Sequence, residues 1–403
     1  GVFRRQRQMC IRDRVKDVSE VTGHPECFDG RVKTLHPAIH SGLLSRRANK
    51  DDQETLNELG YQTIDLVFVN LYPFEETAAI EPPVDDPTLI EMIDIGGPTM
   101  IRSAAKNHDD VIVVTSPNQY DEVLAALSKA KGEPTKIDPE LRKKLALEAF
   151  QATSAYDSGV SNELDSRFIG EIIPTQSHIS TGNGVGLRYG ENPHQMGAVY
   201  SDQKNGVANS KLLHGKPMSY LNYLDADAAY ISANAFPEMC VSIIKHTNSC
   251  GLSYHKSQLE AYKLALRGDP ISAFGGIIGL NSELQTETAL EISKTFFEVI
   301  IAPSFSKQAL EILTAKKNIR LLRSTFDNQV KEYRTINGGI LYQEKDNFEL
   351  DTSQWEIVTK NKPKNEDMEN LIFAWKSIKF IKSNAIVITE KNSIIGIGAG
   401  QPN

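Results

Sequence analysis

The sequence predicts an α/β protein of two domains. The chain has 403 residues, which is enough for two or three domains of ordinary size. Short apolar runs that indicate buried strands alternate with helical segments, as in parallel sheets covered on both faces. A stretch rich in Pro, Thr, Ser, Gly and Asn at 174–186 predicts a linker. We therefore expect one domain over 15–173 and a second over 187–403.

The first domain should contain a small parallel sheet. The apolar run from Ile64 to Val69 predicts a buried strand that leaves its sheet at Tyr72-Pro73. Pro98 suits the first turn of a helix, so a helix is predicted to begin at this residue. The strands are expected at 64–69 and 111–114, and the helices at 98–107, 118–131 and 139–167.

The second domain shows a weak internal repeat. Each half has a Lys and an Asn at a strand end, followed by a glycine-rich strand, and these segments are 244–248 with 273–279 and 381–384 with 395–400. Chance could also supply such a similarity. Strands are expected at 240–244, 275–280, 339–343 and 385–388, and helices at 257–267 and 366–379.

Composition excludes some classes of partner. A net charge of −8 does not favour broad attraction to nucleic acid or to an anionic membrane, so an anionic substrate must be held by local cations. The four cysteines form no Cys-x-x-Cys pair, which predicts neither a metal knuckle nor a disulfide framework and fits a reducing cytosol. No apolar run reaches the length of a membrane span. We expect a cytoplasmic protein.

The segment Asp29-Gly-Arg-Val-Lys-Thr-Leu-His-Pro37 carries two cations, Arg31 and Lys33. An extended backbone would place residues two apart on the same side. Arg and Lys can both bind an anion, the first as a planar fork and the second as a point charge. The alternative is a solvated basic turn.

A second candidate site is the segment Asp94-Ile-Gly-Gly-Pro98, which leads into the predicted helix. Gly96 and Gly97 let a ligand approach the backbone, and a helix N-terminus offers free N–H groups to an anion. The alternative is a tight turn. Arg102 and Lys106 are four residues apart and share one helix face, which could equally be a plain basic surface.

Lys245 and His246 form the third candidate, at the carboxyl end of a predicted strand, where α/β folds usually bind ligands. An imidazole can accept a proton near neutral pH. The alternative is a solvated Lys beside a capping His. The pair His36 and His40 lacks the Glu of a His-Glu-x-x-His zinc motif and has Pro37 between its members, so no metal is predicted there.

These segments resemble, in the same order, the bifunctional purine biosynthesis family that joins AICAR transformylase to IMP cyclohydrolase. One departure is Ser249 in Lys245-His-Thr-Asn-Ser-Cys-Gly251, where the family has proline; we expect this to loosen the turn. The resemblance covers residues 15–403 and rests on 29–37, 70–74, 94–108, 187–195, 215–227, 245–251, 269–276, 298–303 and 382–385.

The resemblance implies a methylglyoxal synthase-like parallel-sheet domain for ring closure, followed by a duplicated cytidine deaminase-like domain for formyl transfer. It implies that 10-formyltetrahydrofolate formylates AICAR to FAICAR, and that FAICAR loses water to give IMP. Purine ribonucleotides and folate would be the ligands, and the protein would be a homodimer. Because the zinc signature of true deaminases is absent, no metal is implied.

The resemblance also implies roles for particular residues. For ring closure, the catalytic residues would be Lys33, Tyr72, Asp94 and Lys106, with Lys106 and Asp94 acting as a pair, and the nucleotide would be bound by Arg31, Thr34, Gly96 and Gly97. For formyl transfer, the catalytic residues would be Lys245, His246 and Asn384, and the substrate would be bound by Arg188, Tyr189, Phe274 and Gly275.

Both ends differ from the family. Met9-Cys-Ile-Arg-Asp-Arg14 matches the translation of a common transposase sequencing adapter, so residues 1–14 are expected to be non-native. The chain stops at Asn403, where the family continues, and both domains are expected to be incomplete. The leading alternative is thus an inactive nucleotide-binding fragment of the same enzyme. A free-standing deaminase-like enzyme is a weaker alternative, because the zinc ligands are missing.

Overall fold

The computed structural model describes residues 15–170, 173, 176–179, 181–182, 184–201, 205–328 and 331–400. Contacts divide the chain into unit 1, Gly1–Ser180, and unit 2, Thr181–Asn403. This division falls within the predicted linker at 174–186. Residues 184–186, at the end of the predicted linker, belong to a strand. The predicted non-native segment 1–14 lies outside the described residues.

Unit 1 contains two parallel strands, β1 and β2, in which Leu66 pairs with Ile112 and Phe68 pairs with Val114. The predicted parallel pairing is therefore observed. The elements are α1 (Val18–Thr22), α2 (Pro37–Leu44), α3 (Lys50–Glu58), β1 (Leu66–Phe68), α4 (Phe74–Ala78), α5 (Asp86–Ile90), α6 (Gly96–Lys106), β2 (Ile112–Val114), α7 (Tyr120–Lys129) and α8 (Pro139–Leu164).

Helices cover both faces of this sheet. Successive residues of a strand point to opposite faces, so each strand contributes side chains to two separate clusters. Val113 packs with Ile101 of α6 on one face. Ile112 and Val114 pack with Val123 of α7 on the other. The long helix α8 contributes side chains to both clusters. The result fixes α6 beside the carboxyl end of β1, where the first candidate site lies.

Unit 2 is built on an eight-stranded mixed sheet with the order β13-β14-β7-β6-β8-β9-β10-β5. The predicted strand at 339–343 forms, but it lies in a separate hairpin. The elements are β3 (Gly184–Leu187), β4 (Gly197–Tyr200), β5 (Lys211–His214), α9 (Tyr220–Asn234), β6 (Cys240–Lys245), β7 (Asn248–Tyr254), α10 (Gln258–Gly268), β8 (Ile277–Leu280), α11 (Thr286–Ile292), β9 (Val299–Ala302), α12 (Lys307–Thr314), β10 (Arg320–Arg323), β11 (Lys331–Ile336), β12 (Gly339–Glu344), α13 (Asn365–Ile378), β13 (Ile386–Glu390) and β14 (Ser393–Gly398).

The sheet of unit 2 is packed on both faces. Helices α10, α11 and α12 cover one face, and Tyr262 and Leu313 are fully buried there. Helix α9 covers the other face, where Ala229 and Tyr230 pack against Ile277. A Ser219 capping box starts α9 and so fixes where this helix begins. None of the helices in the described part of the chain is long and apolar enough to cross a membrane.

The close packing of α10 on β7 gives a stability prediction. A Cβ added at Gly251 would lie 1.8 Å from the backbone oxygen of Ala265. Because a backbone atom cannot rotate away, we expect Gly251→Ala to lower the free energy of unfolding by at least about 1–3 kcal/mol. Urea unfolding would measure this, with Gly186→Ala as the control, since nothing lies within 4 Å of the Cβ added there. Equal stability of the two variants would contradict the observed approach of the helix to the strand.

Candidate active sites

The first site lies at the N-terminus of α6. Asp94 accepts a hydrogen bond from the Gly97 N–H through Oδ1, at 2.7 Å. A Cβ on Gly97 would lie 2.5 Å from Asp94 Oδ2 and 2.9 Å from Leu71 Cδ2, so only glycine allows this approach. A Cβ on Gly96 would lie 2.6 Å from Thr34 Oγ1. The structure therefore brings together Thr34, Asp94 and both glycines, with Tyr72 adjacent in sequence to Leu71.

The two cations of the first motif are both exposed, and they alternate with the half-buried Val32 and Thr34. Each is paired with a carboxylate that the sequence pattern did not reveal. Lys33 Nζ lies 3.0 Å from Glu26 Oε2, and Arg31 Nε donates to Glu91 Oε2 at 3.3 Å. An incoming anion would therefore compete with two carboxylates for these cations.

Lys33 is held in its charged form. Glu26 raises the pKa of Lys33 above its ordinary value, first through the hydrogen bond and then through its charge, and Asp17 and Tyr72 add smaller effects. The amine therefore stays protonated near neutral pH. It is suited to stabilising negative charge and unsuited to accepting a proton.

Tyr156 is a residue of this site that sequence analysis missed. Its hydroxyl accepts a hydrogen bond from the Asp94 N–H at 2.7 Å and donates one to the Met92 carbonyl at 2.9 Å. Burial raises the pKa of Tyr156, so the hydroxyl keeps its proton. The residue comes from α8, 62 positions after Asp94, and no local pattern links two such distant residues. Its effect is to fix the backbone that presents the Asp94 carboxylate.

Asp94 and Lys106, which the resemblance implies act as a pair, do not lie side by side within one chain. Lys106 ends α6, and Gly96 begins it. Ten residues of helix span about 15 Å, more than a lysine side chain can reach. Lys106 instead lines a cavity of about 440 Å³ with Leu44, Arg102, Ser103, Ala105, His108 and Phe150. The opposite ends of one helix thus carry the two residues.

The second site surrounds the turn between β6 and β7. Lys245 pairs with Asn248, which leaves His246 and Thr247 as a two-residue loop. Both loop residues have positive φ, 52° and 59°, as a type I′ hairpin turn requires. Ser249, which was expected to loosen this turn, lies just outside the two-residue loop, in β7, where it pairs with Ile244.

Lys245, Phe274 and Gly275 meet at this turn. Lys245 Nζ donates to the Phe274 carbonyl at 2.8 Å. Gly275 has a φ of +75° and donates its N–H to the Phe296 carbonyl at 2.8 Å. The Phe274 ring lies 5.7 Å from the Phe296 ring and is 58% exposed. An exposed aromatic surface therefore adjoins the Lys-His pair.

Strand directions place Asn384 at the same edge of the sheet as His246. Strands β6, β7, β14 and β13 are successively antiparallel. The end of β6 and the start of β13 therefore lie at one edge, and Asn384 stands just before β13.

Arg188 and Tyr189 lie away from the His246 turn in sequence, in the loop after β3. The Arg188 guanidinium lies 5.5 Å from the centre of the Tyr189 ring. No hydrogen bond or ion pair among the described residues joins that loop to the turn.

Cys250 is buried, and His36 and His40 make hydrogen bonds within unit 1. Burial raises the pKa of the Cys250 thiol to about 11, so the thiol stays protonated and is a poor nucleophile. His36 Nδ1 accepts from the Ala38 N–H and caps α2, while His40 Nδ1 lies 3.0 Å from Ser103 Oγ. Over the described ranges, no group of three or more His, Cys, Asp or Glu side chains is placed to hold a metal ion.

Fold and sites together define an α/β enzyme with two candidate sites, one in each unit. The chain belongs to the AICARFT/IMPCHase bienzyme family, whose model matches residues 104–403. A second model, the MGS-like domain, matches residues 12–99. The boundary between the two models falls within α6, whereas contacts divide the chain after Ser180.

Named relatives agree with this family. The bifunctional purine biosynthesis protein PurH of Bacillus cereus is 47% identical over 392 residues, covering 96% of this chain and 76% of the relative. PurH of a second B. cereus strain is 48% identical, and PurH of Bacillus thuringiensis subsp. konkukian is 47% identical, with the same coverage. A solved structure titled crystal structure of ForH is 36% identical over 39% of this chain and 80% of that chain, with a TM-score of 0.33.

The two family models and the PurH relatives confirm the family and the fold class that the sequence predicted. The chain is an enzyme of purine biosynthesis, with AICAR transformylase and IMP cyclohydrolase as the two activities of its family. The matches do not favour the alternative of an inactive nucleotide-binding fragment. The alternative of a free-standing deaminase-like enzyme does not fit a chain that matches both family models.

Proposed function

We propose that unit 2 transfers the formyl group of 10-formyltetrahydrofolate to AICAR at the His246 turn, and that unit 1 closes FAICAR to IMP at the N-terminus of α6. The observation that supports formyl transfer best is the Lys245-His246 pair at an exposed strand end beside Phe274. The AICAR amine attacks the formyl carbon, the bond from that carbon to N10 breaks, and tetrahydrofolate leaves after N10 gains the proton that the amine has lost.

We assign His246 as the base that takes the proton released by the amine, since histidine is the side chain that most often serves as a general base. Lys245 supplies a positive charge for the oxygen that becomes negative in the tetrahedral intermediate. Asn384, at the same edge of the sheet, orients the reacting groups. The exposed Phe274 face offers an apolar surface for a flat ring. Arg188 and Tyr189 are assigned to the nucleotide.

For ring closure, the carboxamide nitrogen of FAICAR attacks its own formyl carbon and water is lost. The Gly96 amide and the Thr34 hydroxyl lie together at the N-terminus of α6, which suits an anionic nucleotide, while Asp94 accepts the hydrogen bond of the Gly97 amide. The protonated Lys33, with Tyr72 close to it, supports the developing oxyanion. Arg31 adds a second cation, and Asp94 is the carboxylate available for proton transfer.

We propose a homodimer that completes this site. Lys106 is exposed at the C-terminus of α6, and Asp94 lies at its N-terminus. A two-fold axis crossing this helix would set two copies antiparallel, with Lys106 of one near Asp94 of the other.

The free thiols of Cys27, Cys240 and Cys250 support a cytoplasmic location.

Assays of the separate steps test the proposed function. Supplying AICAR with 10-formyltetrahydrofolate should yield tetrahydrofolate, and supplying FAICAR alone should yield IMP. A chain that binds these ribonucleotides but converts neither would overturn the proposal.

A further inference from the structure

The loop that carries His246 is an unusual turn. Type I′ turns need positive φ at both central residues and therefore favour Asn and Gly. Here the positions are held by His246 and Thr247, and neither is glycine. Thr247 is β-branched, and β-branched residues rarely adopt positive φ, so contacts from outside the turn must stabilise this conformation.

Asp225 provides these contacts. This carboxylate belongs to α9 and is only 8% exposed. Its Oδ2 accepts from the His246 N–H at 3.0 Å, and its Oδ1 accepts from the Thr247 N–H at 2.6 Å. Both oxygens of one buried carboxylate are thus used on two consecutive loop amides.

The other side of the same peptide is also held. The His246 carbonyl accepts hydrogen bonds from Thr247 Oγ1 at 2.7 Å and from Asn248 Nδ2 at 2.8 Å. The backbone of His246 is therefore fixed on its N–H side by Asp225 and on its carbonyl side by its neighbours. The imidazole, which is exposed, projects from a backbone that cannot easily rotate.

We infer that Asp225 is a positioning residue for formyl transfer, acting by locking the His246 turn so that the imidazole meets the substrate amine. This inference rests on the proposed function of the turn. Asparagine is the sharpest replacement, because it keeps the shape of the side chain but turns one acceptor into an NH₂ donor. At most one of the two amide bonds then survives, and the turn loosens while α9 keeps its Ser219 cap.

We expect Asp225→Asn to lower kcat for formyl transfer about 10²-fold, with little change in KM for AICAR, since small misplacements of a catalytic group have effects of this size. Asp227→Asn, an exposed position two residues further along α9, is the matched control and should behave as wild type. In a His246→Ala background, Asp225→Asn should cause no further loss, because the two residues act as one unit. An additional full-sized loss in that background would show that Asp225 acts elsewhere.

Amide hydrogen exchange tests the lock without any catalysis. The His246 and Thr247 amides should exchange slowly in wild type and in Asp227→Asn, and at least about tenfold faster in Asp225→Asn. Unchanged exchange would overturn the inference even if kcat fell. If wild type transfers no formyl group, the proposed function fails, and the exchange measurement still decides whether Asp225 holds the turn.

Discussion

Replacing His246 by alanine is expected to slow formyl transfer by about 10²–10⁴-fold, the usual contribution of a general base. The reason is its place on the rigid β6–β7 turn, beside Lys245 and the exposed Phe274. Ring closure should be unaffected, since its residues lie in unit 1. The rate of tetrahydrofolate formation measures the first effect, and conversion of supplied FAICAR to IMP measures the second.

The matched control for this variant is His255→Ala. His255 follows β7 at the opposite edge of the sheet, is exposed, and accepts a hydrogen bond through Nδ1 from the Ser257 N–H. It should retain wild-type formyl transfer. If His246→Ala also kept wild-type turnover, His246 would have no part in the chemistry.

Ring closure should be lost in both Asp94→Asn and Lys106→Ala when each variant is assayed alone. Asn keeps the oxygen that caps Gly97 but not the negative charge, and alanine removes the amine at the far end of α6. If two copies share the site, mixing the variants restores one intact site in each mixed dimer. About a quarter of wild-type activity should return in an equal mixture, because half of the dimers are then mixed.

Lys129→Ala is the control for loss of a lysine at a helix end, since Lys129 is exposed at the end of α7 in the same unit. It should close the ring at the wild-type rate. Full activity of Lys106→Ala would remove that residue from the reaction. Inactive variants that fail to complement after verified exchange of subunits would exclude a site shared between copies.

Local sequence patterns predicted the elements that carry the sites. Pro98, which suits the first turn of a helix, predicted α6, which begins two residues before the expected start. The apolar run ending at Ile244 predicted β6 and put Lys245 and His246 at its end. Both are short-range signals, so a single sequence contains them.

The order of strands could not be predicted in this way. The sequence indicated covered, parallel strands in the first domain and gave no strand directions for the second. The sheet of unit 2 is mixed, and the neighbours of its strands are largely set by pairing between distant segments. The β6–β7 hairpin was missed because its two-residue turn, His246-Thr247, lacks the Asn-Gly signal of a type I′ turn. Its conformation depends on Asp225, 21 residues earlier.

Two contacts of the first site also could not be predicted, because they join residues that are distant in sequence. Glu91 is 60 residues from the Arg31 that it binds, and Tyr156 is 62 residues from Asp94. Contacts between residues so far apart in sequence follow from how the elements of the unit pack together, and the spacing of residues along the chain does not encode that packing. The separation of Lys106 from Asp94 is different, because the length of the predicted helix alone already implied it.

The most direct test of a two-site enzyme follows one carbon atom through both reactions. Wild-type protein would be supplied with AICAR and 10-formyltetrahydrofolate labelled with ¹³C in the formyl group, and the products identified by mass spectrometry and NMR. The formyl carbon becomes the ring carbon between the two nitrogens that close the pyrimidine ring, so IMP labelled at that carbon is the expected product. Labelled FAICAR that never becomes IMP, or no transfer of label to AICAR at all, would contradict the assignment of both reactions to this chain.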